Sequence, residues 1–499
     1  MKSYILSIDQ STSSTKAILF DPAGKLIGRY NVDHRQYYPE QGWVEHDAEE
    51  IYLNTIEAIK SVLVKYCISE SQLSAIAITN QRETAIVWDR LTGKPVYNAI
   101  VWQCTRAEKI CERLISLGYK DIVKSKTGLV LSTYFTAAKI KWILDNVEGV
   151  RRKAEKGLLL AGTMDCWLLW NLTDKKIHAT DFSNACRTQL FNINELKWDE
   201  ELLDIFSIPR CMLPQVKSSN EIFGYASKAC GFDVPVPVAG IMGDSHAALF
   251  GQNCYERGMA KATYGTGSSV MMNIGDKVLE SEKGLVTSIA WGLNGIAEFV
   301  FEANINCTGA AIKWLADDIG LISNSSEAGK IASSIENNGG VYLVPAFSGL
   351  AAPYWDGAAR ASITGMTLGT KKAHIIRAAE ESIAYQIKDV LDLMKDESGI
   401  KLKELHVDGG PTMDDFLMQF QADILDTDLL RPAIEEFSAY GSALAAGLAT
   451  GIYNSLKDLI ALTKNSSLFR SSMPNDERNK LYAGWTEAVK RTLSIKSQY

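Results

Sequence analysis

The first residues able to do chemistry are a carboxylate, a run of hydroxyls and a lysine. Asp9 closes the apolar run Tyr4-Ile5-Leu6-Ser7-Ile8, Thr12, Ser13 and Ser14 follow where the chain must turn, and Lys16 precedes Ala17-Ile18-Leu19-Phe20. Small residues at a tight turn let successive backbone N–H groups point into one concavity. The hydroxyls add donors beside them, an arrangement suited to phosphate oxygens, and Lys16 adds positive charge. A carboxylate next to phosphate repels it unless a cation lies between, so Asp9 reads as a Mg²⁺ anchor, direct or through water. The same Asp and Ser residues also serve plain turns, where they satisfy backbone groups.

A second acid, Asp244, stands where the apolar run 236–242 passes through Gly243 into the small-residue stretch Ser245-His246-Ala247-Ala248. At a helix N-terminus it is either an N-cap or, held ionised by the helix dipole, a base that takes the proton of an attacking alcohol. His246 reads as structural. Arg82 and Glu83 follow the apolar run 73–79 and precede another at 85–89, so one of them turns inward unless the two form a solvated pair. Trp102 and Tyr134 offer flat faces with a polar handle, suited to the C–H side of a polyol or to core packing.

The elements that must position these groups follow from periodicity. Alternating and β-branched residues on either side of 11–13 predict a hairpin. Asp47 with Glu50 predicts a capping box opening a helix through Ile51, Ile56, Ile59, Val62 and Leu63. Strands are expected at 73–79, 85–89, 99–103, 341–347 and 404–408, and a helix over 134–146 with Phe135, Ile140, Ile143 and Leu144 inward. Residues 259–272 repeat the opening pattern: strand, a tip of Gly265, Thr266 and Gly267, returning strand. This repeat predicts two related halves facing one cleft, each presenting a phosphate-holding hairpin. A long helix is expected around Ile376, Ala379, Ile383, Ile387, Leu391 and Met394, another from Asp415, and a small-residue helix over 438–447. Gly409 and Gly410 form a turn that lets backbone approach a ring or phosphate. A hinge near Phe250 to Cys254 divides the chain into domains 1–251 and 252–499.

With 499 residues, 46% of them hydrophobic, and a net charge of −7, the chain is an ordinary globular protein long enough for two domains. No basic stripe points to nucleic acid, and no apolar run reaches membrane-spanning length, so neither nucleic-acid binding nor membrane insertion is expected. The 9 scattered cysteines, without a Cys-x-x-Cys pair, suit reduced thiols in the cytoplasm.

Taken together, Asp9 with its hydroxyl tip, Gly243-Asp244, Tyr264-Gly265-Thr266-Gly267 and Asp408-Gly409-Gly410 resemble the sugar-kinase branch of the actin-like ATPases. Residues 134–146 resemble the first signature of the FGGY carbohydrate kinases. Residues 361–381 resemble the second except at Glu380, where the pattern has an apolar residue, a departure that bears on helix packing. Within the family the chain is similar to glycerol kinases, in residues 42–47, 78–84, 98–104 and 416–421. The resemblance implies an α/β fold of two ribonuclease-H-like (actin-like ATPase) domains flanking a catalytic cleft, ATP and Mg²⁺ as cofactors, and a homo-oligomer, dimer or tetramer. It implies Asp244 as general base and Asp9 as metal residue. Thr12, Ser13, Ser14, Lys16, Thr266, Gly309, Lys313, Gly410 and Asp414 would lie at the nucleotide, and Arg82, Glu83, Trp102 and Tyr134 at the polyol. Ser245 and Ser269 depart from the larger residues of glycerol kinases, His246 stands where they have Gln, and Thr105, Lys313 and Asp414 also differ. The serines imply a roomier, more polar pocket, so glycerol is the leading substrate and a longer polyol or ketose (erythritol, threitol, xylitol, xylulose) the alternative. From another class, an actin-like ATPase acting as a binding module would share the nucleotide hairpins without needing the polyol residues.

Overall fold

The computed structural model describes residues 3–463 and 466–494. β1 (Tyr4–Gln10) and β2 (Ser14–Phe20) form the expected hairpin, with Asp9 opposite Lys16 in the antiparallel register. β3 (Leu26–Asp33) pairs antiparallel with β2, after which α1 (Ala48–Lys65) packs on β2 and β3. Asp47 caps α1 by accepting from the backbone N–H groups of Glu49 and Glu50. The reciprocal half of the expected capping box does not form, because the Glu50 carboxylate accepts from Arg35 N at 3.0 Å instead. β4 (Leu73–Asn80) is buried throughout and runs parallel to β1 with Thr79 opposite Asp9, so Arg82 and Glu83 leave it at the same end of the sheet as Asp9.

The strand expected at 99–103 is only Ala99–Ile100, because Cys104 N turns back to Val101 O at 3.0 Å, leaving Trp102 on a loop. α2 (Thr136–Asn146) begins two residues later than the periodicity suggests, with Phe135 extended at its N-cap and Tyr134 ahead of it. The buried Lys139 explains this start: its Nζ donates to the carbonyls of Tyr134 at 2.5 Å and Phe135 at 2.9 Å, drawing those groups out of the helical pattern. β5 (Ile222–Ala226) and β6 (Val236–Gly243) complete a six-stranded sheet of order β5-β6-β4-β1-β2-β3, and β6 runs directly into α3 (Asp244–Gly251).

The second sheet echoes the first. β7 (Met259–Tyr264), β8 (Ser268–Gly275), β9 (Val286–Leu293) and β10 (Ile296–Ile305) are antiparallel neighbours in the order β9-β10-β8-β7. α4 (Gly309–Asp317) and the long α5 (Lys372–Ser398) follow. β11 (Glu404–Asp408) then lies parallel to β7, as β4 does to β1. After α6 (Asp415–Leu425), β12 (Leu429–Pro432) adds a further parallel strand. Past α7 (Phe437–Ala449), the edge strand β13 (Ser466–Phe469) closes the sheet antiparallel to β12, as β5 closes its own sheet against β6. The strand expected at 341–347 is confined to Tyr342–Val344, outside this sheet.

α7 joins the halves. Although it belongs to the second half in sequence, it packs on α3 and across β6, β4 and β1 of the first sheet. Its small residues permit that contact: a Cβ on Gly441 would overlap the Ala247 carbonyl of α3, and Ser442 Oγ meets Ser7 Oγ of β1 at 2.8 Å.

Candidate functional site

Both sheets end in the same region, and the chemistry-bearing residues lie at those ends. In the first hairpin the tip closes through Ser11 N to Ser14 O at 2.9 Å, and His34 holds it from below through the Thr12 carbonyl at 2.8 Å. Trp102 Nε1 donates to Thr12 Oγ1 at 3.0 Å, so the indole is fixed against the tip, with Tyr134 edge-on to it at 5.5 Å between ring centroids. Ser13 is exposed and Ser14 buried. Lys16 Nζ pairs with Glu436 at 2.7 Å. Asp9 is therefore left without a bonded cation, and burial pushes its carboxyl up to about 7 against the pull of Lys16, with Glu436 and Asp244 adding to the rise.

Asp244 is the first helical residue of α3; the N-cap is Gly243, so the capping reading of Asp244 gives way. Its Oδ1 is ion-paired with Arg82 Nε at 3.0 Å and accepts from Ser245 N at 2.6 Å. Oδ2 has no hydrogen bond among the described residues, on a side chain 40% exposed. One oxygen is thus oriented by the protein and the other left open.

Arg82 turns inward, and so does Glu83. The Arg82 guanidinium donates to Glu302 at 3.1 and 3.2 Å and to Ser245 Oγ at 3.2 Å. Glu83 adopts a left-handed backbone with φ of 61°, and its carboxylate accepts from Arg187 Nε at 2.6 Å. Arg187 NH1 reaches Glu302 at 2.8 Å. Burial pushes Glu83 up despite both arginines. Glu302 is instead held well below the usual carboxylate range, since Arg187 and Arg82 outweigh its burial. Lys139 Nζ lies 3.5 Å from the Glu83 carbonyl, tying the turn to the start of α2. His246 is buried, lies 3.4 Å from Arg82 NH1 through Nδ1, and is pushed well below its ordinary value by burial and then by Arg82, so it stays neutral. Its Nε2 and the Oγ of Ser269 are buried without a hydrogen-bond partner.

Arg187 and Glu302 escaped the sequence reading. The available signal was a lone carboxylate inside the apolar strand Phe299-Val300-Phe301-Glu302-Ala303, which is stable only if paired.

The second hairpin lines a cavity of about 1310 Å³ bounded by α4, α5 and α6. Thr266, Gly309, Lys313, Gly410 and Asp414 all line it, whereas Thr12, Ser13, Ser14 and Lys16 stand on the opposing hairpin. Gly409 has φ of 98°, and a Cβ there would overlap the Tyr264 carbonyl, so the turn out of β11 presses directly on the hairpin. Asp414 caps α6 by accepting from Phe416 N at 2.9 Å. Lys313 is exposed and loosely paired with Asp317 at 3.9 Å. Glu380, expected to matter for helix packing, is on the cavity wall.

Among the described residues no three His, Cys, Asp or Glu side chains gather to hold a metal by themselves. Mg²⁺ does not require such a cage, since it usually binds one or two carboxylates, waters and phosphate oxygens. Asp9 fits it as a buried carboxylate whose neighbouring lysine is already paired.

Two echoing sheets, each opening on a small-residue hairpin, define a phosphotransferase of the actin-like ATPase fold. Residues 4–251 match the N-terminal domain of the FGGY family of carbohydrate kinases and residues 260–450 its C-terminal domain. Glycerol kinase 2 of Thermotoga maritima is 51% identical over 98% of this chain and 99% of its own length. Glycerol kinase of Caldanaerobacter subterraneus is 52% identical over 99% of each. The crystal structure of Plasmodium falciparum glycerol kinase with ADP superposes with a TM-score of 0.94 at 39% identity, covering 98% of both chains. Xylulose kinase of Lactobacillus acidophilus shares the fold, with a TM-score of 0.87 at 20% identity over 98% of both chains. This chain belongs to the FGGY family of carbohydrate kinases. It is an ATP-dependent phosphotransferase. No helix among the described residues is long and apolar enough to cross a membrane.

Proposed function

We propose that this protein transfers the terminal phosphoryl group of ATP to a terminal hydroxyl of glycerol, forming glycerol 3-phosphate and ADP. The observation that carries the reading is Asp244, with Oδ1 fixed by Arg82 and Ser245 N and Oδ2 left open. In this reading Oδ2 accepts the hydroxyl proton as the oxygen attacks phosphorus, and the bond from phosphorus to the ADP oxygen breaks. Arg82 and Glu83, locked by Glu302 and Arg187, hold the polyol hydroxyls, and Trp102 and Tyr134 cover its carbons. Thr12, Ser13, Ser14 and the tip at Thr266 receive the phosphates, and Lys16 lies beside them. Gly309, Lys313, Gly410 and Asp414 border the nucleoside. Asp9 holds the Mg²⁺, which when bound neutralises phosphate charge. Most of the acceleration then comes from positioning and fixed electrostatics. The two domains of the reading are 1–251 and 252–499. All 9 cysteines are free thiols, which suits a reducing cytoplasm.

The buried, unpartnered Ser269 Oγ and His246 Nε2 favour a second reading, in which additional hydroxyls of a longer polyol or ketose supply their partners. A coupled ADP assay over glycerol, erythritol, threitol, xylitol and xylulose separates the two. Glycerol is expected to lead in kcat/KM by about tenfold or more; a four- or five-carbon substrate leading by that margin would favour the second reading. ADP release indifferent to any polyol would support a binding-module ATPase instead.

A further inference from the structure

The cavity wall carries a carboxyl with nothing to bond to. Glu380 sits about a third of the way along α5, is 3% exposed, and lines the cavity with Ile312, Ile383 and Pro411. It has no hydrogen bond or ion pair among the described residues. Its sequence neighbour Glu381 shows the ordinary alternative, bonded to Arg377 Nε at 2.7 Å and to Asn338 Nδ2 at 2.8 Å. Neither cation on the wall is paired with Glu380. Lys330 is exposed, and Lys313 has a side chain 75% exposed and leans towards Asp317. Asp414 is itself acidic and spends Oδ1 on capping α6. The Glu380 oxygens open only onto the cavity, so a ligand that fills the cavity and shuts out water must supply their bond or leave them unpaired.

We propose that Glu380 reads the base of the bound nucleotide by pairing with the exocyclic amino group of adenine. The proposal rests on the cavity being the nucleotide site. The apolar residues around Glu380 suit the faces of a flat ring, and the carboxyl is the polar group among them that is free to address a ring edge. Burial, and then the charge of Asp414, push Glu380 well above the usual carboxylate range, which favours its protonated form. A protonated carboxyl offers a C=O acceptor to an amino N–H and an O–H donor to a ring nitrogen. Adenine presents that pair of complementary groups side by side on either of two edges. Discrimination by such a contact exceeds what apolar packing delivers, because the unmatched ligand leaves the buried carboxyl unpaired again.

The test compares ATP with purine riboside 5′-triphosphate, which lacks only the amino group. The wild-type protein should show a KM about tenfold higher for the analogue with a similar kcat. Glu380→Leu should bring the two KM values within about twofold by weakening ATP, while Glu380→Gln, which keeps an acceptor, should preserve the preference. Glu380→Leu should melt no lower than wild type, since an apolar side chain replaces an unpaired acid. A wild type indifferent to the amino group, or a preference undiminished in Glu380→Leu, would overturn the proposal. Ala310→Trp, which fills the cavity from α4, tests the premise separately. If this variant melts like wild type but no longer binds ADP by calorimetry, the cavity is the nucleotide site and any failure belongs to Glu380 alone. ADP binding undisturbed by the tryptophan would overturn the premise.

Discussion

Asp244 shows how much a single side chain depends on its neighbours. Replacing it with Asn keeps the size and the Oδ1 contacts but removes the basic oxygen. Asp244→Asn is expected to lower kcat by about a hundred- to ten-thousandfold while ADP affinity, measured by calorimetry, stays within about threefold; turnover near wild type would reduce Asp244 to a helix-terminal residue. Asp244 was legible in the sequence because an acid at a strand-to-helix junction is a local pattern. Arg187 and Glu302 were not, because their roles come from ion pairs with Glu83 and Arg82, residues more than a hundred positions away in the chain. Lys16 was visible as a charge near the hairpin tip, but its partner Glu436 comes from the far end of the chain, and the pairing at 2.7 Å leaves Asp9 to its buried carboxyl.

At the level of elements, the hairpins and the strand-to-helix junctions were readable because a two-residue alternation or a β-branched run interrupted by glycine has few other solutions. The short pieces were not. The run at 99–103 is apolar enough for a strand, yet a turn at Val101 ends it after Ile100. Below the first hairpin tip lies a pair whose effect is also non-local: His34 and His46, ring centroids 4.7 Å apart. Burial, and then His34, push His46 from 6.5 down to about 3. Between those values the unfolded chain binds a proton that the folded protein refuses, so this contribution is intact above the unfolded value and is lost as pH falls below it. At pH 5 the loss is about 2 kcal/mol. Thermal melts should fall more between about pH 7 and pH 5 for wild type than for His46→Gln; equal slopes would show that His46 takes up its proton in the folded state.

Across the whole molecule, the halves meet through α7 on the first sheet and through Glu302 of β10, which bonds Arg82 and Arg187 from the first half. Glu302→Gln removes the charge that balances two buried guanidiniums and should destabilise the fold by about 3–5 kcal/mol, read from denaturant unfolding; a loss under about 1 kcal/mol would mean water already compensates them. The repeated hairpin made two related halves legible, but α7 crossing to the other sheet was hidden, since small residues signal close packing without naming the partner. Because both hairpins must reach the same phosphates, the radius of gyration by small-angle scattering should shrink when a non-hydrolysable ATP analogue and glycerol are added together, and an unchanged value would argue against closure. The most direct measurement follows the label of ATP carrying a radioactive terminal phosphate in the presence of glycerol. Label should appear in glycerol 3-phosphate, with little in inorganic phosphate, and this transfer should vanish in Asp244→Asn. Label released chiefly as inorganic phosphate, at a rate glycerol does not alter, would contradict a kinase that joins ATP and polyol at Asp244.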